Sequence, residues 1–151
     1  MFDHPISTTY LDVQVARVSA VLLGAGAFDA APVEMFCSNF HSVMLFIEYT
    51  RAGAGGKVKL KIEGSQVGSG SEWFQVSLYN PGAPVANSDS TSVFQREFEE
   101  YGSTAAGIEK VALPISLYGA FERLRIAAAE SGAVGTPGTC KVTARFSMAG
   151  L

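Results

Sequence analysis

From Tyr10 onward the chain alternates. In YLDVQVARV the apolar Leu11, Val13 and Val15 stand against Asp12, Gln14 and Ala16, a period of two that predicts a half-buried strand. The pattern then loosens through Gly24, Gly26 and Pro32, which predicts a strand running out into a loop. At 41–50, HSVMLFIEYT is apolar on both sides: Val43, Leu45, Ile47 and Tyr49 oppose Met44 and Phe46. A strand that carries apolar residues on both sides is expected at the centre of a sheet with both faces covered.

The next stretch, KVKLKIEGSQVGSGSEWFQVSLY, reads as a two-faced hairpin. Val58, Leu60, Ile62, Phe74, Val76 and Leu78 are expected in the core, with Lys57, Lys59, Lys61 and Glu63 outside and Trp73, Gln75, Ser77 and Tyr79 on the second strand's other face. A lysine row of this kind blunts strand-edge pairing, because an added strand would have to desolvate ammonium groups; alternatively it meets an acidic surface. The polar run NPGAPVANSDSTS at 80–92 is a surface connection, and VFQREFEEY reads as a strand in preference to a helical turn. IEKVALPI and FERLRIAAA follow, the latter with Leu124, Ile126 and Ala128 inward and Arg123 and Arg125 outward. CKVTARFSM ends the pattern with Cys140, Val142, Ala144, Phe146 and Met148 on one side. About eight short strands and no long 3.6-residue period predict an all-β, antiparallel β-sandwich of jelly-roll type. It forms one domain over residues 10–151, preceded by an extended arm over residues 1–9.

Composition changes the picture of the surface. Charged residues make up only 17% of the 151, hydrophobic residues 48%, and glycine numbers 16, against about 25% charged in an ordinary soluble domain. Much of the outside must then be Ala, Gly, Ser, Thr and apolar side chains, which suits a surface covered by other subunits; a monomer coated in small residues is the plainer alternative. A net charge of −3 with dispersed Lys and Arg leaves no basic stripe for nucleic acid. The apolar run VSAVLLGAGAF at 18–28 is shorter than the ~20 residues of a membrane helix. It also follows an acidic, strand-patterned segment in place of a basic one, so neither a removed leader nor a membrane partner is expected. Cys37 and Cys140 make no CxxC pair and are expected as buried, reduced thiols.

No constellation declares a reaction, and the chain is read as a non-enzyme without a cofactor. GAGAFD at 24–29 resembles a dinucleotide loop only until Asp29 takes the place of the third glycine and Pro32 interrupts the helix that should follow. Asp3, His4, Cys37 and His41 are the only soft-metal candidates, and a buried Cys with an ordinary His is the better reading, so no metal is assigned. Glu97, Glu99 and Glu100 read as a solvated acidic face. Trp73 and Tyr79, with Tyr49, Tyr101 and Tyr118, form a candidate platform for stacking on the apolar face of a sugar ring. That platform is the basis of an alternative reading as a carbohydrate-binding module.

The stretches LFIEYTRAGAGGKVKLKIEGSQVGSGSEWFQVSLY and ISLYGAFERLRIAAAESG resemble a group of small tailed-bacteriophage virion proteins. Those proteins pair a Tyr-Thr-Arg-Gly strand end with a lysine-bearing strand, a small-residue loop, a Trp-aromatic strand and a late Arg-x-Arg strand. The carriers here are Tyr49, Thr50, Arg51, Gly53, Trp73, Phe74, Arg123 and Arg125, within residues 43–130, with Ala52 inserted between Arg51 and Gly53. The resemblance implies a β-sandwich capsid decoration or auxiliary protein, or a related head or tail part. It implies location in the virion after assembly in the host cytoplasm, and partnership with the major capsid protein or other virion subunits. A homo-oligomer is expected, with a trimer as the favoured number. Candidate assembly contacts are Phe2, Pro5 and Ile6 in the arm, where Pro5 discourages helix and the other two are apolar anchors, and the row Lys57, Lys59, Lys61.

Overall fold

The computed structural model describes residues 11–52, 56–66, 72–76, 98–100, 107–131 and 135–149. The arm residues Phe2, Pro5 and Ile6, the metal candidates Asp3 and His4, and Leu78, Tyr79, Glu97 and Tyr101 lie outside them.

Nine strands are described: β1 (Leu11–Arg17), β2 (Glu34–Phe36), β3 (Ser42–Arg51), β4 (Lys57–Gln66), β5 (Phe74–Gln75), β6 (Phe98–Glu100), β7 (Gly107–Ser116), β8 (Phe121–Ser131) and β9 (Thr139–Ser147). They form two antiparallel sheets, one ordered β1-β9-β3-β7 and the other β2-β8-β4-β5, with β6 also on β4. β5 pairs with β4 at Glu63 and Gly64, and β6 pairs with it at Val58, Lys59 and Leu60, so the two are halves of one split neighbour. Counted that way the pairings nest: first with last, β2 with β8, β3 with β7, β4 with its split neighbour. A long antiparallel hairpin wrapped around a core gives this order, which makes the domain a jelly roll, as its strand spacing predicts.

The alternation places the core. Leu45, Ile47, Tyr49, Val142, Ala144 and Phe146 from one sheet meet Val58, Leu60, Ile62, Leu124, Ile126 and Met35 from the other, all buried. Each large apolar side chain removed from water contributes about 1.5–3 kcal/mol. Among the described residues the expected inward set of β8 is buried, as are Cys140, Val142, Ala144 and Phe146 of β9. Met148 lies past the end of β9 and is about half exposed, contrary to the pattern that grouped it with the core.

Two structural anchors have polar chemistry. Arg17, only 5% exposed, uses all five of its N–H groups. Nε and Nη2 donate to Asp29 Oδ2 and Oδ1 at 2.9 and 3.2 Å, Nη1 to the carbonyls of Val21 and Cys140 at 3.0 and 2.6 Å, and Nη2 also to Leu22 O at 3.2 Å. Asp29 Oδ2 in turn accepts from Ala128 N at 2.9 Å, so one ion pair ties β1 and β9 of the first sheet to the 18–33 loop and β8 of the second. At the other anchor the buried Tyr49 hydroxyl donates to Glu130 Oε1, while Glu130 Oε2 accepts from Gly138 N at 2.8 Å. Burial, reinforced by the hydrogen bond to Glu130, pushes the Tyr49 phenol well above its ordinary pKa. Gly56 and Gly138 wall this pair so closely that an added Cβ would stand 2.6 Å from the Tyr49 hydroxyl or 2.9 Å from Glu130 Oε1.

Both thiols are free and buried. Burial pushes each up to about 12, with the nearby Glu122 charge adding to the effect at Cys37. A folded protein at pH 8 is expected to resist alkylation for hours and, once denatured, to take up two labels, as read by mass; one or no label after denaturation would show that the thiols are already modified or bridged.

Candidate functional site

The outer face of the β1-β9-β3-β7 sheet departs most from expectation. On β3, Leu45, Ile47 and Tyr49 point inward, so Met44, Phe46 and Glu48 point out. Register carries this across the sheet. One row runs Val13, Arg145, Met44, Pro114; the next Val15, Thr143, Phe46, Ala112; the third Lys141, Glu48, Lys110. Ile108, opposite Thr50, stands beyond. Val13 is 59% exposed, Ile108 64% and Phe46 42%, and a shallow depression of about 440 Å³ opens beside Phe46, Ala112 and Thr143.

Two expectations are corrected here. β3 is the central strand predicted, but no described element covers its second face. On β1, Val13 and Val15 face out while Asp12 and Gln14 face the mouth of the sandwich. The reversal is satisfied locally: Gln14 Nε2 donates to Asp12 Oδ2 at 2.7 Å and to Phe36 O at 2.9 Å. A register shift between Val15 and Arg17 then brings both Ala16 and Arg17 into burial.

Among the described residues the face carries three cations, Lys110, Lys141 and Arg145, against the single anion Glu48. Glu48 bridges the two lysines, at 3.4 Å to Lys110 and 3.7 Å to Lys141. Exposed pairs of this sort are worth at most about 1 kcal/mol each, so they decorate the face without closing it.

The hairpin fares differently. Lys57, Lys59 and Lys61 do face outward, but each is half-buried. β4 is an interior strand, flanked by β8 on one side and by β5 and β6 on the other, so the row protects no free edge. Lys61 reaches Glu63 at 3.5 Å and lies over the Phe28 ring at 5.6 Å. Phe74 is not core. The space above its partner Gly64 is filled by the Phe121 ring, which an added Cβ would meet at 2.3 Å, and Phe74 stays 47% exposed at the rim.

Trp73 lies under two guanidinium groups: Arg125 is 4.1 Å and Arg123 5.5 Å from the ring centroid. Both arginines are fixed in turn, Arg125 to Glu63 at 2.8 Å and Arg123 to Glu34 at 2.6 Å. The described members of the aromatic set, Trp73, Tyr49 and Tyr118, are not brought together. Tyr49 is in the core of the opposite sheet, and Tyr118 is exposed in a turn with φ 54°. Cys37 and His41 are also separated. Asn39, at φ 69°, reverses the chain between them, leaving the thiol buried and the imidazole exposed. Among the described residues no three His, Cys, Asp or Glu converge as metal ligands, and no helix is long and apolar enough to cross a membrane.

β2, a three-residue strand, went unrecognised because it is too short to alternate, and the Arg17–Asp29 anchor because its members are twelve residues apart in sequence. GAGAFD, whose periodicity ended, hydrogen-bonds along β8: Gly26 N and Asp29 N donate to the carbonyls of Glu130 and Ala128, and Glu130 N to Gly24 O. Comparisons with protein-family models, curated proteins and solved structures return no match.

Proposed function

We propose that the chain is a bacteriophage virion structural protein, a capsid decoration or auxiliary subunit that binds the capsid lattice and stabilises it as a homo-oligomer. The observation that carries this reading is the apolar face of the β1-β9-β3-β7 sheet, which no described element covers. Four strands spaced about 4.8 Å and up to ten residues long make a face roughly 20 by 30 Å, on the order of 600 Å². That approaches the ~800 Å² that each partner contributes to a standard interface.

The surplus of cations there, with Arg145 exposed and outside every ion pair of the described residues, fits a partner surface whose apolar groups are interspersed with carboxylates. The ionisable groups inside the fold are occupied structurally: Arg17 with Asp29, Arg51 with Glu109, Arg125 with Glu63. The sugar-binding alternative gains no support at Trp73, where the approach of Arg125 takes up ring surface that a pyranose would need.

Full-length protein is expected to co-sediment with heads purified from a phage deleted for the gene. Phe46→Asp, which places a charge at the centre of the face, is expected to weaken that binding at least tenfold while leaving the fold intact, since Phe46 is exposed and not among the buried core residues. Wild-type protein that ignores heads, or a Phe46→Asp variant that binds as well as wild type, would overturn the reading.

A further inference from the structure

The last strand of a sheet presents backbone N–H and C=O groups that no neighbour has taken. In the second sheet the outermost strands β2, β5 and β6 have only two or three residues each. In the first, β1 has seven, and Gln14 ties it to β2 through the Phe36 carbonyl. β7 is different: it is ten residues long and, among the described strands, pairs with β3 alone. Its ladder runs through all ten partners without the register shift that interrupts β1 on β9 and β4 on β8, so no bulge bends this edge away.

The two sides of β7 can be told apart. Backbone N–H and C=O groups of a strand alternate sides residue by residue. Leu117, the residue after β7, donates its N–H to the carbonyl of His41, the residue before β3. Odd-numbered residues therefore aim at β3, while Ile108, Lys110, Ala112, Pro114 and Ser116 aim away from it. Pro114 agrees with this: it sits in the unbroken ladder opposite Met44, where a missing N–H is tolerated only on the side away from the neighbour. Every outward residue except Pro114 offers both a donor and an acceptor.

We propose that β7 pairs antiparallel with β7 of a second copy of the chain about a two-fold axis at Ala112, joining the two four-stranded sheets into one. The inference deepens the homo-oligomer part of the proposed function and does not depend on the capsid.

Self-complementarity selects this occupant and this register. A two-fold pairing needs the same edge on both partners. Placed at Ala112, the axis engages all five outward residues, with about eight backbone hydrogen bonds. It sets the two Ala112 methyls opposite each other, Lys110 opposite Pro114 and Ile108 opposite Ser116, so no like charges meet. On the inner face it sets Val111 opposite Leu113 of the second copy. Both pack only partly buried against the core of a single chain, and they would occupy the closely spaced, non-hydrogen-bonded positions where apolar pairs stabilise a sheet. Lysine and proline ordinarily guard an edge. Here Lys110 removes the register centred on itself, where two ammonium groups would meet, and Pro114 costs one hydrogen bond per copy; the rest of the edge stays open.

The test is a disulfide trap in full-length protein. Residues of a hydrogen-bonded pair have Cα atoms about 5.5 Å apart, within the span of a disulfide. Ala112→Cys is therefore expected to oxidise to a species of twice the chain mass several-fold faster than Lys110→Cys, whose two thiols would lie about 13 Å apart along the strands; the native thiols are buried and do not compete. No link in Ala112→Cys, or an equally fast link in Lys110→Cys, would overturn the proposal. In light scattering at tens of micromolar the wild-type chain is expected at the mass of two chains. Ala112→Pro, which removes the donor at the axis and spares the β3 ladder, is expected to weaken that association at least tenfold with an unchanged circular dichroism spectrum. A wild-type mass of one chain or of three, or an Ala112→Pro variant that associates as tightly as wild type, would overturn it. So would loss of the fold in Ala112→Pro, which would place that N–H in the β3 ladder. A dimer that ignores phage heads would remove the capsid reading and leave this one standing, and a monomer that binds heads would do the reverse.

Discussion

Arg17→Ala is expected to destabilise the domain by about 3–5 kcal/mol, because removing one member of a buried ion pair leaves the other charge uncompensated. The damage extends beyond Asp29. The carbonyls of Val21, Leu22 and Cys140 lose a donor together, and the 18–33 loop keeps only its backbone bridge at Leu22–Thr139 to β9. For a chain of this length each kcal/mol corresponds to about 2–4 °C, so the melting temperature should fall by roughly 6–20 °C. Arg17→Lys tests the cause: one ammonium cannot serve the positions that the guanidinium fork reaches, and most of the loss should persist. Thermal unfolding of the two variants beside wild type reads the result. A loss below about 1 kcal/mol for Arg17→Ala would show that the clasp between the sheets is not a determinant of stability.

Alkaline pH is expected to unfold the protein earlier than a thiol-free variant. Each thiol has a folded-state pKa raised by burial from 9.0 to about 12. Between those values the unfolded chain releases a proton that the native state retains, so the native state binds more protons and stability falls as pH rises. The contribution is complete below pH 9 and is lost progressively toward pH 12, at about 1.4 kcal/mol per pH unit for each thiol. Tyr49, also raised, adds loss of the same sign above its ordinary pKa of 10.0. Urea unfolding of wild type and of Cys37→Ala/Cys140→Ala at several values from pH 8.5 to 10.5 isolates the thiol part. The double variant is less stable at pH 8.5, because two buried side chains are shortened, but its slope against pH should be shallower by up to about 2.7 kcal/mol per unit. Equal slopes would show that the thiols ionise as easily in the folded protein as in the unfolded one.

Alternation along single segments was enough to determine the all-β class, the jelly-roll expectation, the inward residues of β8 and most of those of β9, because a strand's side chains change face every residue whatever surrounds it. The low charge was likewise legible without coordinates. Alternation separates two faces, however, without saying which one meets the core. On β1 the tertiary structure turned Val13 and Val15 outward, because Asp12 and Gln14 find polar partners at the mouth of the sandwich and a register shift lets Ala16 and Arg17 be buried together. On β3 it left Phe46 bare, since cover on a second face depends on what packs there and not on the strand's own residues. Phe74 yielded its place to Phe121, from a strand more than forty residues away in sequence. The lysine row lost its role as an edge guard once β5 and β6 were seen to flank β4. The Arg17–Asp29 clasp exists only when β1, β8, β9 and the 18–33 loop converge. Contacts of that separation leave no periodic trace in a sequence, because their geometry is set by where the wrapped hairpin brings distant segments and not by the local repeat of the backbone.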